Sequence, residues 1–218
     1  MIAIVDYKKG NIRSVERAFM RAGAEVVVTD EPAVLQDSDA IVLPGVGAFA
    51  DAMATLNDSG LTDAIKSEVR VGKPFLGICL GQHLMFEGGL EHASDGNPVE
   101  GIGILEGIVQ ALPKTDDEGR TYKIPHVGWN TIEEAANGAI FEDHPLLRGI
   151  DSGEFFYFTH SYAVPSTDAD VAYTTHSVTF PSVVGRGSAF GVQFHPEKSS
   201  DAGAQMIQNF VDYVREVS

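Results

Sequence analysis

Cysteine and positive charge are both scarce in this chain of 218 residues. Its one cysteine, Cys79, cannot form a disulfide within the chain, and a reducing cytoplasm is the expected location. Fifteen lysines and arginines stand against 31 aspartates and glutamates, which gives a formal net charge of −16. That charge repels phosphate backbones and anionic lipid surfaces, which argues against nucleic-acid and membrane partners. No apolar run is long enough for a membrane span, and the first residues do not have the pattern of a signal peptide.

The first part of the chain alternates between short apolar runs and helical patterns. Strands are predicted at residues 2–6, 24–29, 40–43 and 73–78, and helices at 12–22 and from about 48 to 71. This alternation is typical of a parallel sheet that is covered by helices on both faces. We therefore expect an α/β fold in a single domain over residues 1–218, with a central, mostly parallel sheet flanked by helices.

The second part of the chain is richer in strand patterns and turns. Strands are predicted at 103–112, 121–125, 154–159, 170–175 and 188–194, and an amphipathic helix at 202–217. Because the connections are short and rich in turn residues, we expect these strands to be added antiparallel at one side of the sheet.

Cys79 lies between Gly77 and Gly81 in the segment Gly-Ile-Cys-Leu-Gly, after a strand pattern and before a helical one. This is the thiol counterpart of the G-x-S-x-G turn, which exposes a nucleophile at a sharp junction of strand and helix. Glycine on either side avoids a collision where the backbone approaches itself, and a following helix N-terminus favours the thiolate. A buried, inert thiol is the alternative for a lone cysteine, but the flanking glycines favour a nucleophile.

A partner for this thiol is found in the segment Gln-Phe-His-Pro-Glu. His195 and Glu197 are two residues apart at a predicted strand end, and side chains two apart in an extended chain point the same way. The carboxylate can then fix the tautomer of the imidazole, as in a catalytic triad. We predict that Cys79, His195 and Glu197 are the nucleophile, the base and the orienting acid.

A loop of small residues at 44–49, Pro-Gly-Val-Gly-Ala-Phe, follows a predicted strand and suits an oxyanion hole. The backbone N–H groups of Val46 and Gly47 are candidate donors, together with that of Leu80, which follows the nucleophile. Because a β-branched residue resists positive φ, we expect the Val46 peptide to rest with its N–H turned away until it is reoriented. An ordinary turn is the alternative.

These segments resemble the class I, triad-type glutamine amidotransferases. The Cys79 turn and the His-Pro-Glu segment carry the resemblance to the family. A narrower resemblance, to the members that supply ammonia to a separate cyclase in histidine biosynthesis, is carried by residues 6–15, 44–49, 125–130, 157–162 and 191–200.

The resemblance implies a reaction, a substrate and a partner. Cys79 would attack the side-chain amide of glutamine, and the ammonia would pass to a (β/α)8-barrel cyclase subunit in a heterodimer. That subunit makes imidazole glycerol phosphate and an aminoimidazole ribotide. No cofactor is implied, and we expect no metal site because the seven histidines show no ligand spacing.

The resemblance also implies roles for residues outside the triad. The backbone at Ser161 and Tyr162 would hold the substrate, although a buried polar strand end would explain these two residues as well. The surfaces around the interface and the ammonia route would include His126, Trp129, Asn130, Tyr157 and Lys198. The Gly-Trp-Asn segment predicts a turn, and an exposed tryptophan there suits an interface anchor.

One position departs from the family pattern. The family carries glutamine four residues after the nucleophile, where this chain has His83, and Gln82 comes one place early. One residue rotates a helical side chain by about 100°, so Gln82 cannot take the place of that glutamine. His83 either supplies a hydrogen bond itself or lowers the affinity for glutamine.

Two other functions remain open from the sequence. The first is a different triad amidotransferase or a stand-alone cysteine hydrolase of γ-glutamyl bonds, against which the 44–49 loop and the Gly-Trp-Asn segment argue. The second is a non-catalytic binding subunit with the same fold. His83 favours that function, whereas the intact Cys79, His195 and Glu197 oppose it.

The acidic excess generates a prediction about salt. We expect a salt-rich cytoplasm that screens the self-repulsion of the folded chain, because the Debye length falls from about 10 Å at 0.1 M salt to about 3 Å at 1 M. The melting temperature should therefore rise when KCl is raised from about 0.1 M to about 2 M. An equal melting temperature in both buffers would instead indicate an ordinary acidic protein of a low-salt cytoplasm.

Overall fold

The computed structural model describes residues 1–8, 10–134 and 141–218, so Lys9, in the motif at 6–15, lies outside the described residues. In its first part, strands and helices alternate along the chain as predicted. These elements are β1 (Ile2–Val5), α1 (Ile12–Arg21), β2 (Val26–Thr29), α2 (Pro32–Asp37), β3 (Ala40–Gly45), α3 (Phe49–Asp58), α4 (Leu61–Arg70), β4 (Phe75–Cys79) and α5 (Leu80–Leu84).

The second part consists mainly of strands. These elements are β5 (Phe86–Gly89), β6 (Val99–Glu100), β7 (Leu105–Ala111), β8 (His126–Glu134), β9 (Glu154–His160), β10 (Tyr162–Ala163), β11 (Asp170–Thr175), β12 (Thr179–Arg186), β13 (Ala189–Val192) and the closing helix α6 (Ser200–Val217). Short 3-10 turns lie at Ser94–Gly96, Phe141–Asp143 and Pro196–Lys198.

The strands form a large mixed sheet and a smaller one. The large sheet has the order β2-β1-β3-β4-β13-β12-β11-β8-β9, and the smaller one has the order β10-β7-β5-β6. In the large sheet, β2, β1, β3, β4 and β13 are parallel neighbours. The remaining four strands continue it with antiparallel pairings. The predicted α/β fold, with antiparallel strands added in the second half of the chain, is confirmed.

The central strands are buried on both faces. Every residue of β1, β3, β4 and β13 is buried, which explains why these strands are continuous apolar runs in the sequence. Alternate residues of β1 enter different hydrophobic clusters. Ile2 and Ile4 belong to the cluster that includes Phe19 of α1 and Phe210 of α6, while Val5 belongs to the cluster of α3 and α4. The sheet therefore lies between two layers of helices.

Several local predictions were wrong. Residues 121–125 do not form a strand: Thr121 makes only an isolated bridge to Thr115, and the strand begins at His126. Gly128-Trp129-Asn130 is not a turn but the middle of β8, because β9 pairs with it residue by residue and the ladder outweighs local turn propensity. The predicted helical region 48–71 is confirmed, and it consists of two helices divided at Gly60, whose φ of +73° is one that glycine adopts readily. Five further elements were not predicted from the sequence: α2, β5, β6, β10 and β12.

No helix in the described ranges has the length and apolar character needed to cross a membrane.

Candidate active site

The predicted nucleophile and base are brought together by two neighbouring parallel strands. β4 ends at Cys79, and β13 pairs with it so that Val192 lies opposite Ile78. The chain that follows β13, which contains His195, therefore begins at the edge of the sheet where β4 ends. Gly45, at the end of β3, is opposite Cys79 on the other side. Ligand sites of open α/β sheets form at this carboxyl edge.

The backbone at Cys79 makes the sharp turn that the sequence predicts. Cys79 has φ +54° and ψ −105°, a backbone conformation that residues other than glycine rarely adopt. The helix α5 begins at the next residue. The flanking glycines are required by the fold. A Cβ on Gly81 would overlap the carbonyl oxygen of Leu43, and one on Gly77 would lie 2.6 Å from the Gly81 oxygen. The turn thus presses α5 against β3 and β4.

His195 and Glu197 form a buried pair. The Nδ1 atom of His195 lies 2.9 Å from Oε1 of Glu197, and both side chains are almost fully buried. A carboxylate only accepts hydrogen bonds, so Nδ1 donates, and Nε2 is the ring nitrogen that Glu197 does not engage. Nε2 is buried and has no hydrogen-bond partner among the described residues. The geometry therefore leaves one imidazole nitrogen available for chemistry.

The electrostatics of this site favour a charged imidazole. Burial lowers the pKa of His195, but its interactions with Cys79 and Glu197 outweigh burial and raise the pKa to about 9. The Cys79 sulfur also lies 3.9 Å from Nε2 of Gln193 and 3.9 Å from the carbonyl oxygen of Thr159.

A cavity of about 370 Å³ opens in front of the thiol, a volume in the range of small-molecule sites. Seven of the predicted site residues line it: Val46, Gly47, Cys79, Leu80, His83, Ser161 and Tyr162. The φ of Val46 is not positive, whereas Gly47 has φ +107°. The structure thus brings the predicted oxyanion loop, the nucleophile and the predicted substrate-binding segment to one cavity.

Glu91 is a lining residue that no sequence pattern predicted. It is the one carboxylate among the described lining residues, and its Oε2 accepts a hydrogen bond from the backbone N–H of Phe49, 3.1 Å away. Burial raises the pKa of Glu91, while the bond from Phe49 and the neighbouring His92 oppose that rise. No local pattern marks this residue, because only the tertiary fold brings it to the cavity.

His83 and Gln82 occupy different environments. Nε2 of His83 lies 2.8 Å from Oε1 of Gln193, and burial lowers the pKa of His83 to about 4 although this hydrogen bond opposes the shift. Gln82 does not line the cavity; it packs against Gly191 of β13. The rotation of one helical residue separates the two side chains, as expected from the sequence.

The residues predicted for the interface do not lie on one face. Trp129 and Tyr157 are a cross-strand pair on β8 and β9, and Lys198 lies over the Tyr157 ring, 6.0 Å from its centroid. Trp129 is 53% exposed. His126 is buried on the opposite face of β8, and the Asn130 amide bonds the carbonyl of Thr175. A surface role therefore does not fit the His126 side chain.

Within the described part of the chain, no three histidine, cysteine, aspartate or glutamate side chains lie close enough to hold a metal ion.

The sequence of this chain matches a known protein family. The sequence model of the family of class I glutamine amidotransferases matches residues 3–214. This chain belongs to that family. The resemblance that the sequence motifs indicated is confirmed, and with it the prediction of an enzyme of the amidotransferase class.

Curated relatives match along nearly the whole chain. Imidazole glycerol phosphate synthase subunit HisH of Halalkalibacterium halodurans is 43% identical over 213 residues, which cover 96% of this chain and 94% of the relative. The subunit of the same name from Caldanaerobacter subterraneus is 41% identical over 217 residues, with 99% of each chain covered. These two relatives carry the same name.

Solved structures support the fold. The crystal structure of a glutamine amidotransferase superposes with a TM-score of 0.70 at 16% identity and covers 98% of each chain. The glutaminase domain of Trypanosoma brucei CTPS, with bound acivicin, superposes with a TM-score of 0.68 at 16% identity, covering 100% of this chain and 94% of that one. At this identity the likeness concerns the fold alone.

The tight packing of Gly81 generates a prediction about stability. Gly81→Ala should lower the free energy of unfolding by at least about 2–3 kcal/mol, because the new methyl group meets a backbone carbonyl that cannot move aside. Chemical denaturation measures this. Gly119→Ala is the matched control: its φ is +82° but its Cβ would meet open space, so only the backbone strain of about 1 kcal/mol is expected. Equal losses in both variants would contradict the steric account.

Proposed function

We propose that this chain hydrolyses glutamine to glutamate and ammonia with Cys79, His195 and Glu197. We further propose that the ammonia passes to a (β/α)8-barrel cyclase subunit, which makes imidazole glycerol phosphate and an aminoimidazole ribotide in histidine biosynthesis. The observation that carries the proposal is a buried His195 that is bonded to Glu197 through Nδ1 and interacts with Cys79, whose strained turn lines an amino-acid-sized cavity. Relatives named as synthase subunits, at 41% and 43% identity, support the assignment of the pathway.

In the first half of the reaction, the Cys79 thiolate attacks the carboxamide carbon of glutamine and forms a C–S bond. The carbonyl oxygen takes the negative charge. His195, cationic because its pKa is raised to about 9, gives the Nε2 proton to the amide nitrogen. The C–N bond then breaks, ammonia leaves, and a thioester remains beside a neutral imidazole.

In the second half, the neutral His195 accepts a proton from water, whose oxygen attacks the thioester carbon. The C–S bond breaks, the new carboxyl group of glutamate loses its proton to solvent as the product leaves, and Cys79 departs as a thiolate beside a cationic imidazole. Glu197 keeps the proton of Nδ1 in place throughout, so that only Nε2 exchanges protons.

The oxyanion of each tetrahedral intermediate needs backbone donors. Leu80 is the first residue of α5, so its N–H has no carbonyl four residues back within the helix. Val46 and Gly47 follow the end of β3, which lies on the side of β4 away from β13, and they line the cavity next to Cys79. We assign the second donor to this loop, where the positive φ at Gly47 already turns the backbone.

Recognition of an amino acid needs an anion for its ammonium group. Glu91 meets this need as the carboxylate of the described lining residues, and a bound ammonium would return its raised pKa toward the ordinary value. The backbone at Ser161 and Tyr162 faces the same cavity and suits the substrate carboxylate. His83 is already bonded to Gln193, so we assign it to holding that side chain near the Cys79 sulfur rather than to replacing the family's glutamine.

The cyclase would dock on the exposed apolar face of β8 and β9, formed by Val127, Trp129, Phe155 and Tyr157. Val127, Trp129 and Phe155 are each more than half exposed, and alternation places all four side chains on one face. The backbone of Tyr157 bonds the elements that hold the base: its carbonyl accepts from the N–H of His195, 2.9 Å away. A shift of β9 on docking would therefore reach His195 directly.

The decisive experiment uses the full-length chain with and without the cyclase subunit. We expect release of glutamate from glutamine, and alkylation of Cys79 by a glutamine analogue such as acivicin located by mass spectrometry. Both rates should rise when the cyclase and its ribotide ligand are present. His195→Asn should lower the rate of glutamate release by about 10²–10⁴-fold, because the proton transfers are lost.

Cys79→Ala is the control and should abolish both signals. An unlabelled Cys79 in the presence of the cyclase would indicate a non-catalytic subunit, and labelling that ignores the cyclase would indicate a stand-alone hydrolase.

The docking face generates a separate prediction. Trp129→Ala should weaken cyclase binding by tenfold or more, because buried tryptophans at interface centres contribute about 2 kcal/mol or more. Isothermal titration calorimetry measures this. Val71→Ala removes another exposed apolar side chain, at the end of α4, and should leave binding unchanged. Equal affinity of the Trp129→Ala variant and the unchanged chain would place the cyclase elsewhere.

A further inference from the structure

A chain of hydrogen bonds between two buried imidazoles leads from the cavity wall into β8. His160, which lines the cavity, has Nδ1 2.8 Å from the carbonyl oxygen of Tyr162. Its Nε2 lies 2.9 Å from Nδ1 of His126. Nε2 of His126 in turn lies 3.2 Å from the side-chain amide of Asn130, which also bonds the carbonyl of Thr175.

The direction of every bond in this chain follows from its ends. A carbonyl oxygen only accepts, so Nδ1 of His160 carries a hydrogen, and because a neutral imidazole has only one N–H, its Nε2 must accept. His126 therefore donates from Nδ1, which leaves its Nε2 to accept from Asn130. The amide of Asn130 is fixed as the donor, because its oxygen accepts from the N–H of Thr131. Both imidazoles are neutral and carry hydrogen on Nδ1 in this arrangement.

The surroundings of the two rings hold them in the neutral form. Both are buried, and burial lowers the pKa of His126 to about 4 and that of His160 well below its ordinary value. His176 stacks on His126 with ring centroids 4.3 Å apart, and His83 lies near His160. A positive charge on either neighbour would oppose protonation of His126 and His160. Phe158 stacks against His126 as well and fixes its plane.

The hydrogen bond from His160 stabilises a bend that forms part of the cavity wall. At Ser161 the chain leaves β9 of the large sheet, and at Tyr162 it enters β10 of the small sheet. The Ser161 carbonyl is held by the N–H of Leu112, and the Tyr162 carbonyl by His160. A side chain that bonds its own backbone two residues on pins a turn, as asparagine does in Asx turns.

We propose that His126 is a positioning residue for glutamine binding: it fixes the tautomer of His160, which holds the bend at Ser161 and Tyr162 against the substrate. This inference rests on the proposed glutaminase function. His126 touches neither the thiol nor the cavity, so its effect falls on the binding wall and not on the reacting atoms. Loss of the bond from His126 leaves Nε2 of His160 without its donor and allows the other tautomer, in which Nδ1 no longer donates to Tyr162.

The first test observes the tautomers in the unaltered full-length chain, without any activity. Long-range ¹H–¹⁵N spectra of chain labelled with ¹⁵N-histidine distinguish the two neutral tautomers and the cation. We expect His126 and His160 to be neutral at pH 7 with hydrogen on Nδ1. A cationic form, or hydrogen on Nε2 of either ring, would overturn the proposal whatever the chain catalyses.

The second test separates binding from catalysis in the complex with the cyclase. His126→Phe keeps an aromatic ring but removes the donor, and we expect KM for glutamine to rise about tenfold with kcat within about threefold. That factor corresponds to about 1.4 kcal/mol, the net contribution of one hydrogen bond. His126→Asn restores a donor on the atom next to Cγ and should return KM to within about threefold of the unaltered chain.

His176→Phe is the matched control. It changes a ring that stacks on His126 but stands outside the hydrogen-bond chain, so KM should stay unchanged. An unchanged KM in His126→Phe, or an equal rise in the Asn and Phe variants, would overturn the positioning role. If the unaltered complex released no glutamate at all, the proposed function would fail, while the spectra would still decide whether the imidazole chain exists.

Discussion

The whole site depends on the register between two parallel strands that are far apart in the sequence. Ile78 of β4 lies opposite Val192 of β13, so the ends of both strands meet at one edge of the sheet. A slip of one residue would turn each side chain to the other face. Register is strongly fixed here because both strands are buried on both faces, and because Gly77 and Gly81 admit the backbone contacts that bring α5 onto β4. Packing of the core thus sets the distance between the thiol and the imidazole.

Burial acts on His83, His126 and His195 alike, but their partners decide which of them is charged. His195 is buried against a carboxylate and a thiol, and these raise its pKa to about 9. His83 and His126 are buried against amides and other imidazoles, which offer no negative charge, and their pKa values fall to about 4. Desolvation alone would give the same answer for all three. One fold therefore holds a cationic acid and neutral hydrogen-bond donors close to the same cavity.

The parts of the site that sequence reasoning found are those encoded by short segments. The glycines around Cys79 and the spacing of His195 and Glu197 report local backbone geometry, so they could be interpreted without a fold. Glu91 could not be found this way, because only the packing of its loop against the start of α3 brings it to the cavity. The same holds for the hydrogen bond of His126, which joins two strands, and for Gly128 and Trp129, whose turn signal yields to the pairing with β9.

The alternation of side chains along β8 and β9 connects the exposed face with the interior. Tyr157 and Trp129 point outward, whereas their strand neighbours include His160 and His126, which point inward. The backbone between them is shared, and through the Tyr157 carbonyl it also binds the N–H of His195. The outward and inward residues share the backbone of the paired strands, so a shift of β9 would reach both sets. A partner that docked on this face would therefore act on His195 and on the bend at Ser161 and Tyr162 through one element.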